Sequence, residues 1–190
     1  MMTSRQKSLA AALATVSIII AAALLLLLMG RTPWYKYGPP ELWSGDVLSD
    51  QNSQQFADPY TLTHIIHGVG FYALLWLLAR RLPLGAKTII AVFLESAWEV
   101  FENTDLVINR YRESTISLDY YGDSVLNSVG DIITALAGFL LTARLPVYVT
   151  VIGVLAIEVA LAFLIRDNLS LNILMLLYPF EAIRIWQSGG

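Results

Sequence analysis

Two histidines and six acidic or amide residues recur at helical spacing in three apolar stretches of this 190-residue chain. The first stretch carries His64 and His67 at i, i+3. The second carries Glu95, Glu99 and Glu102 at i, i+4, i+7, and the third Asp123, Asn127 and Asp131 at i, i+4, i+8. On α-helices each set lies along one side. Two imidazoles with several carboxylates, and no cysteine anywhere in the chain, form a donor set suited to Zn, Mn or Fe rather than to a soft metal. The expected ligands of one divalent ion are His64, His67, Glu99 and Asp123 or Asp131, with Glu95, Glu102 or Asn127 behind them to orient the ligands. No fixed motif such as H-E-x-x-H is present, so spacing supports the class of chemistry and no more. An ion with an open coordination position activates water for hydrolysis or phosphoryl transfer. Arg110 and Arg112, in the run NRYRE, supply planar guanidinium groups of the kind that bind phosphate bidentately.

Each of these groups also has a plainer use. His64 and His67 can hydrate a helix mouth, Glu102 and Asp123 can sit at a water boundary, and Ser124, Asn127 and Ser128 can join helices by hydrogen bonds. Arg110 and Arg112 can pair with Glu113 and Asp119. Glu158, alone in its stretch, is expected to serve only as a partner. Proton or cation transport is a third reading, because buried acids also relay protons. It is weakened by their confinement to one half of the stretches and by the lack of an inverted repeat.

The elements that must position these residues are membrane helices. The chain is 56% hydrophobic and 14% charged, with mean hydropathy +0.61, against roughly 25% charged residues in a soluble domain. Its apolar residues gather into runs near the ~20 residues that cross a bilayer core. We expect an all-α polytopic transmembrane bundle of one domain, with spans at about 8–29, 61–79, 88–104, 122–143 and 147–165. The stretch 169–186, interrupted by Pro179, Glu181 and Arg184, is an interfacial helix or a sixth span. The first span follows Arg5 and Lys7 as a signal peptide would, but its length favours an uncleaved anchor. Net charge is −3 with scattered basic residues, which excludes a nucleic-acid footprint. The lipid bilayer is the expected partner, and no protein partner is indicated.

Arg5, Lys7, Arg80, Arg81, Lys87 and Arg144 fall in connections without acids, whereas the alternate loops mix both signs. Short cytoplasmic loops accumulate Lys and Arg, so the N-terminus is expected inside and loops 31–60 and 105–121 outside. All three polar sets then lie in the outer half of the membrane, as one shared cavity requires. A charged residue at mid-helix costs about 2.5–3.5 kcal/mol on insertion scales, so these acids must be paired, hydrated, protonated or bound to a cation. The long loop 31–60 carries Trp34, Tyr35, Tyr37 and Trp43, which fit either an aromatic belt on the headgroups or a lid over the site.

Three segments carry a family resemblance: SQQFADPYTLTHIIHG (Ser53 to Gly68), ESAWEVFEN (Glu95 to Asn103) and NRYRESTISLDYYGDSVLNSVGD (Asn109 to Asp131). Together they resemble the bacterial inner-membrane proteins of uncharacterised protein family 0314, also called domain of unknown function 2585. The resemblance covers most of the chain. It implies a multi-pass protein of the bacterial inner membrane and carries no activity with it. More distantly, His64, Glu95, Glu99, Asp123, Asn127, Asp131 and Gly138 are similar to a pattern in small VanZ-like membrane proteins, which implies a cell-envelope role but no substrate.

Overall fold

The computed structural model describes residues 3–115 and 119–189. Eight helices, and no strand, are found among the described residues. They are α1 (Ser4–Leu28), α2 (Thr61–Leu78), α3 (Leu84–Glu102), α4 (Asp105–Ser114), α5 (Val125–Thr142), α6 (Val147–Leu164), α7 (Leu169–Leu177) and α8 (Glu181–Gln187). The chain is a polytopic helical membrane protein. Helices α1, α2, α5 and α6 are each long and apolar enough to cross a bilayer.

Local chemistry sets the helix ends. Thr3 and Gln6 form a reciprocal capping box at the start of α1, which satisfies two of its orphan N–H donors. The Asp58 carboxylate accepts from the N–H groups of Ser53 (2.9 Å), Tyr60 (2.8 Å) and Thr61 (3.2 Å), so a negative charge sits at the positive end of α2. Pro83 and Pro146 occupy the residue before α3 and α6, where a missing N–H costs nothing. Ser124 caps α5 by accepting from Asn127 N at 3.1 Å. Asn168 caps α7 by accepting from Leu171 N at 2.8 Å, and Glu158 of α6 accepts from the next free donors, Leu169 N (3.0 Å) and Ser170 N (3.2 Å).

Helix α3 is sandwiched. One side meets α1 and α5 through Val92, Ala22 and Ile132, and another meets α2 and α5 through Ala91, Leu75 and Phe139. Its 19 residues are enough to cross, but Lys87, Glu95, Glu99 and Glu102 set it apart from the four apolar helices. Lys87, Glu95 and Glu99 are buried between neighbours instead of facing lipid. Helices α2 and α5 cross at near backbone contact. A Cβ on Gly68 would lie 2.0 Å from Ala135 O, and one on Gly138 would lie 2.4 Å from Ile65 O. Such small residues let membrane helices approach closely. Most of α6 faces outward, with Val151, Ile152, Leu155 and Phe163 exposed, as suits a lipid-facing helix.

Several expected boundaries shift. The third stretch begins at Leu84, not 88, so Lys87 belongs to the first helical turn rather than to a connection. The fourth begins at Val125, not 122, because Ser124 takes the cap. Part of the expected outer loop 105–121 is helix α4, whose polar character hid it in a search for apolar runs. The stretch 169–186 is two short helices broken around Tyr178 and Pro179, and the nine residues of α7 fall well short of a span. The loop 31–60 divides its labour. Trp34, Tyr37 and Trp43 are exposed, whereas Ser53, Gln54, Gln55 and Asp58 are buried as a strap against the start of α5.

That strap is held by its own backbone. The carbonyls of Ser53, Gln54 and Gln55 accept from Ser124 N, Ser124 Oγ and Asn127 Nδ2, each at 2.9 Å. The Gln54 side chain donates to Gly122 O at 2.8 Å. Gly130 admits the strap, since a Cβ there would lie 2.0 Å from Phe56 O.

Candidate metal centre

The start of α2, the end of α3 and the start of α5 meet at one end of the bundle, and their polar residues converge there. His64 is 7% exposed, Glu95 1%, Glu99 0%, Asp123 6% and Asp131 4%. His64 Nδ1 lies 2.5 Å from Glu95 Oε1, and His67 Nδ1 lies 3.2 Å from both Glu95 oxygens. An ionised carboxylate only accepts, so in these contacts each Nδ1 is the donor. His64 Nε2 faces Asp131 Oδ2 at 3.7 Å, and Glu99 Oε1 stands 3.4 Å from His64 Nδ1.

Separations distinguish ligand pairs from hydrogen bonds. Two donors about 2.1 Å from one ion, at angles of 90–110°, stand roughly 3.0–3.4 Å apart. The 2.5 Å contact between His64 and Glu95 is therefore a hydrogen bond, through which Glu95 orients His64. Three triads bring one donor atom from each residue within 4.8 Å of the others: His64, His67 and Glu95; His64, Glu99 and Asp131; Glu99, Glu102 and Asp123. Both oxygens of Glu99, and Oδ1 of Asp131, are buried without a hydrogen-bond partner. Leaving a buried charged acceptor unsatisfied is costly, so these oxygens must be protonated, hydrated or matched by a cation.

Asp123 arrives by a different route from that expected. It precedes the helix, so it does not share a helical face with Asn127 and Asp131. Instead Asn103, the C-cap of α3, receives Asp123 N at 2.8 Å and donates Nδ2 to Asp123 Oδ2 at 2.9 Å. The Tyr120 hydroxyl donates to Asp123 Oδ1 at 2.9 Å. Burial raises the Asp123 carboxyl to about 6, although the bonds from Tyr120 and Asn103 pull the other way. Burial also holds the phenols of Tyr111 and Tyr120 well above their ordinary value, reinforced at Tyr111 by Glu102 and at Tyr120 by Asp123. Asp58 is raised as well, by burial opposed by its three backbone donors.

A cavity of about 1300 Å³ opens beside the cluster. His64, His67, Glu102, Asp123, Asn127 and Asp131 form a polar wall, while Phe71, Leu74, Trp98, Phe101 and Leu176 supply apolar surface. Glu95 and Glu99 are not on that wall, so Glu99 approaches the site from behind. The Asn127 amide reaches back to the strap at Gln55 O.

Arg110 and Arg112 lie on α4. Arg110 borders the cavity, but its Nε donates to Leu176 O at 2.7 Å and its guanidinium also reaches Leu177 O at 3.3 Å, which ties α4 to α7. Arg112 Nε donates to Tyr120 O at 2.5 Å. Among the described residues, neither pairs with Glu113 or Asp119, and no lysine or arginine forms an ion pair with the clustered carboxylates.

Asn103 and Tyr120 escaped the reading of the sequence. Asn103 had a signal, since Glu95, Glu99 and Asn103 fall at i, i+4, i+8. Tyr120 had none, because its place depends on a loop.

The family model described as "Protein of unknown function (DUF2585)" matches residues 26–189. A UPF0314 protein of Paracoccus denitrificans is 54% identical over 176 residues, covering 93% of this chain and 91% of the relative. One from Sinorhizobium fredii is 50% identical over 177 residues, covering 93% and 90%. One from Brucella anthropi is 46% identical over 186 residues, covering 98% and 94%. No solved structure matches. The wider VanZ-like likeness is not among these matches. The resemblance first carried by the strap, the acidic helix and the segment leading into α5 thus extends along nearly the whole chain, which belongs to the UPF0314 (DUF2585) family.

Proposed function

We propose that this protein is a divalent-cation-binding component of the bacterial cell envelope. In this reading it is seated in the inner membrane with its N-terminus in the cytoplasm and its cavity open to the outer face. One observation carries the cation: Glu99 is wholly buried with neither oxygen hydrogen-bonded, and it stands in two of the three donor triads. The orientation is supported by the acid-free basic segments at the opposite end of the bundle, around Arg5, Arg81 and Arg144.

The test is metal analysis of the purified chain from cells grown with ample Mn, Zn and Fe. Bound divalent metal is expected, with affinity falling about 10–100-fold or more in His64→Ala and Glu99→Gln. A metal-free protein whose melting temperature ignores added metal would overturn the reading.

A second reading is favoured by the cavity wall, which is polar beside the cluster and apolar toward Phe71, Leu74 and Trp98. It fits an amphiphile, with its polar end at the cluster and its hydrocarbon along the apolar side. The corresponding activity is metal-dependent hydrolysis or phosphoryl transfer on a lipid or envelope precursor. A bound cation there would supply Lewis acidity and a water nucleophile, and the chain itself would orient the headgroup through His67 and Asp123. Release of phosphate or a headgroup from extracted envelope lipids, lost in Glu99→Gln, is the expected result. Cation flux in proteoliposomes without such release would favour transport instead.

A further inference from the structure

We infer that the centre holds two divalent ions bridged by the Glu99 carboxylate, an inference that rests on the cation-binding reading above. Glu99 is the residue shared by the triads His64–Glu99–Asp131 and Glu99–Glu102–Asp123. Its oxygens are both buried and neither has a hydrogen-bond partner, so each is free to face a different ion. The first ion would take His64 Nε2, one Glu99 oxygen and Asp131. The second would take the other Glu99 oxygen, Glu102 and Asp123. The 3.7 Å between His64 Nε2 and Asp131 Oδ2 lies a few tenths of an ångström beyond the spacing of two ligands on one ion, a gap that a bound cation would close.

Charge supports the count. Glu95 is accounted for by the two imidazoles that contact it. That leaves Glu99, Glu102, Asp123 and Asp131, four carboxylates without a lysine or arginine partner among the described residues. Metal ligands are bound in their ionised form, so with all four as ligands one divalent ion would leave two of these charges uncompensated and two ions would neutralise all four. His64, Asp131, Glu102 and Asp123 reach the cavity wall while Glu99 lies behind it. Both ions would therefore be held from the rear and face the cavity, an arrangement that lets a paired site bind two oxygens of one phosphate or carboxylate.

The experiment loads the chelator-stripped full chain in detergent with MnCl2. It measures Mn per chain by mass spectrometry and the Mn(II) paramagnetic resonance spectrum. Two Mn per chain with the spectrum of an exchange-coupled pair is expected. Glu102→Gln should halve the stoichiometry and convert the spectrum to that of an isolated ion, and Glu99→Gln should abolish coupling. A melting curve of each stripped variant matched to stripped wild type separates loss of a ligand from loss of fold. One Mn per wild-type chain with an isolated-ion spectrum overturns the second ion and leaves the cation-binding reading standing. Two uncoupled ions overturn the bridge. No bound Mn, Zn or Fe overturns both.

Discussion

At the scale of single residues, the site is defined by which polar atoms are satisfied and which are not. Glu95 is occupied by two imidazoles, Asp123 by Asn103 and Tyr120, and Glu99 by nothing but its neighbours' charges. Glu99→Gln should therefore act differently in the two states. In stripped protein it removes no hydrogen bond and should leave the melting temperature near that of wild type, whereas in metal-loaded protein it removes ligand-linked stability. Melting curves with and without chelator check this, and an unchanged chelator effect in the variant would contradict it. Asn103→Ala strips two hydrogen bonds from a buried aspartate, one at its carboxylate and one at its N–H, and should cost about 1–3 kcal/mol, read by denaturant unfolding. These roles were unevenly legible in the sequence. Glu95, Glu99 and Asp131 could be placed together from helical spacing, because they do lie on helices. Asp123 reaches the cluster through a cap and a loop, which periodicity does not describe.

At the scale of elements, the close crossing of α2 and α5 sets the distance between His64 and Asp131. Gly68→Ala places a Cβ against the Ala135 carbonyl, and overpacking of this kind costs about 1–3 kcal/mol. We expect a lower melting temperature and weakened metal binding together, because the two helices must part. The C-terminal helices are pinned by Asp167, which accepts from Asn168 N (2.9 Å), Gln187 Nε2 (3.0 Å), Tyr60 Oη (3.1 Å) and Asn172 Nδ2 (3.4 Å). Burial raises its carboxyl from 3.8 to about 6 despite these donors, and the nearby Glu158 adds to the rise. A raised acid binds its proton in the folded state first, so this residue's contribution to stability grows as pH falls from above 6 toward 3.8 and is lost as pH rises through 6. Asp167→Asn should flatten that part of the melting-temperature profile. The apolar helices were readable from composition. The amphipathic α4 and the broken α7–α8 pair were not, since their placement rests on Arg110, Glu158 and Asp167 contacts distant in the chain.

At the scale of the molecule, one end of the bundle carries the strap, α4, α7 and the polar centre, and the other carries Arg80, Arg81 and Arg144. The chain has no cysteine, so single substitutions report topology without background. Leu48→Cys should react with a membrane-impermeant maleimide in intact cells, and Arg81→Cys only after lysis; the reverse pattern would invert the proposed orientation. Membrane residence was legible from hydropathy alone, and so was the gathering of polar groups at one depth. The inward half of the 31–60 loop was not, because Gln54 and Gln55 are ordinary surface residues until a partner is known.

The strap has a consequence in time as well as in space. Its carbonyls at Ser53 and Gln54 find their donors at Ser124, 70 residues after Gln54 in the chain. A chain made from its N-terminus must leave those carbonyls to water until Ser124 has been made. Only then do the last two carboxylates, Asp123 and Asp131, join the histidine side of the centre. Return of the chain at α5 is therefore the step that completes the polar cluster, before α6, α7 and α8 have been added.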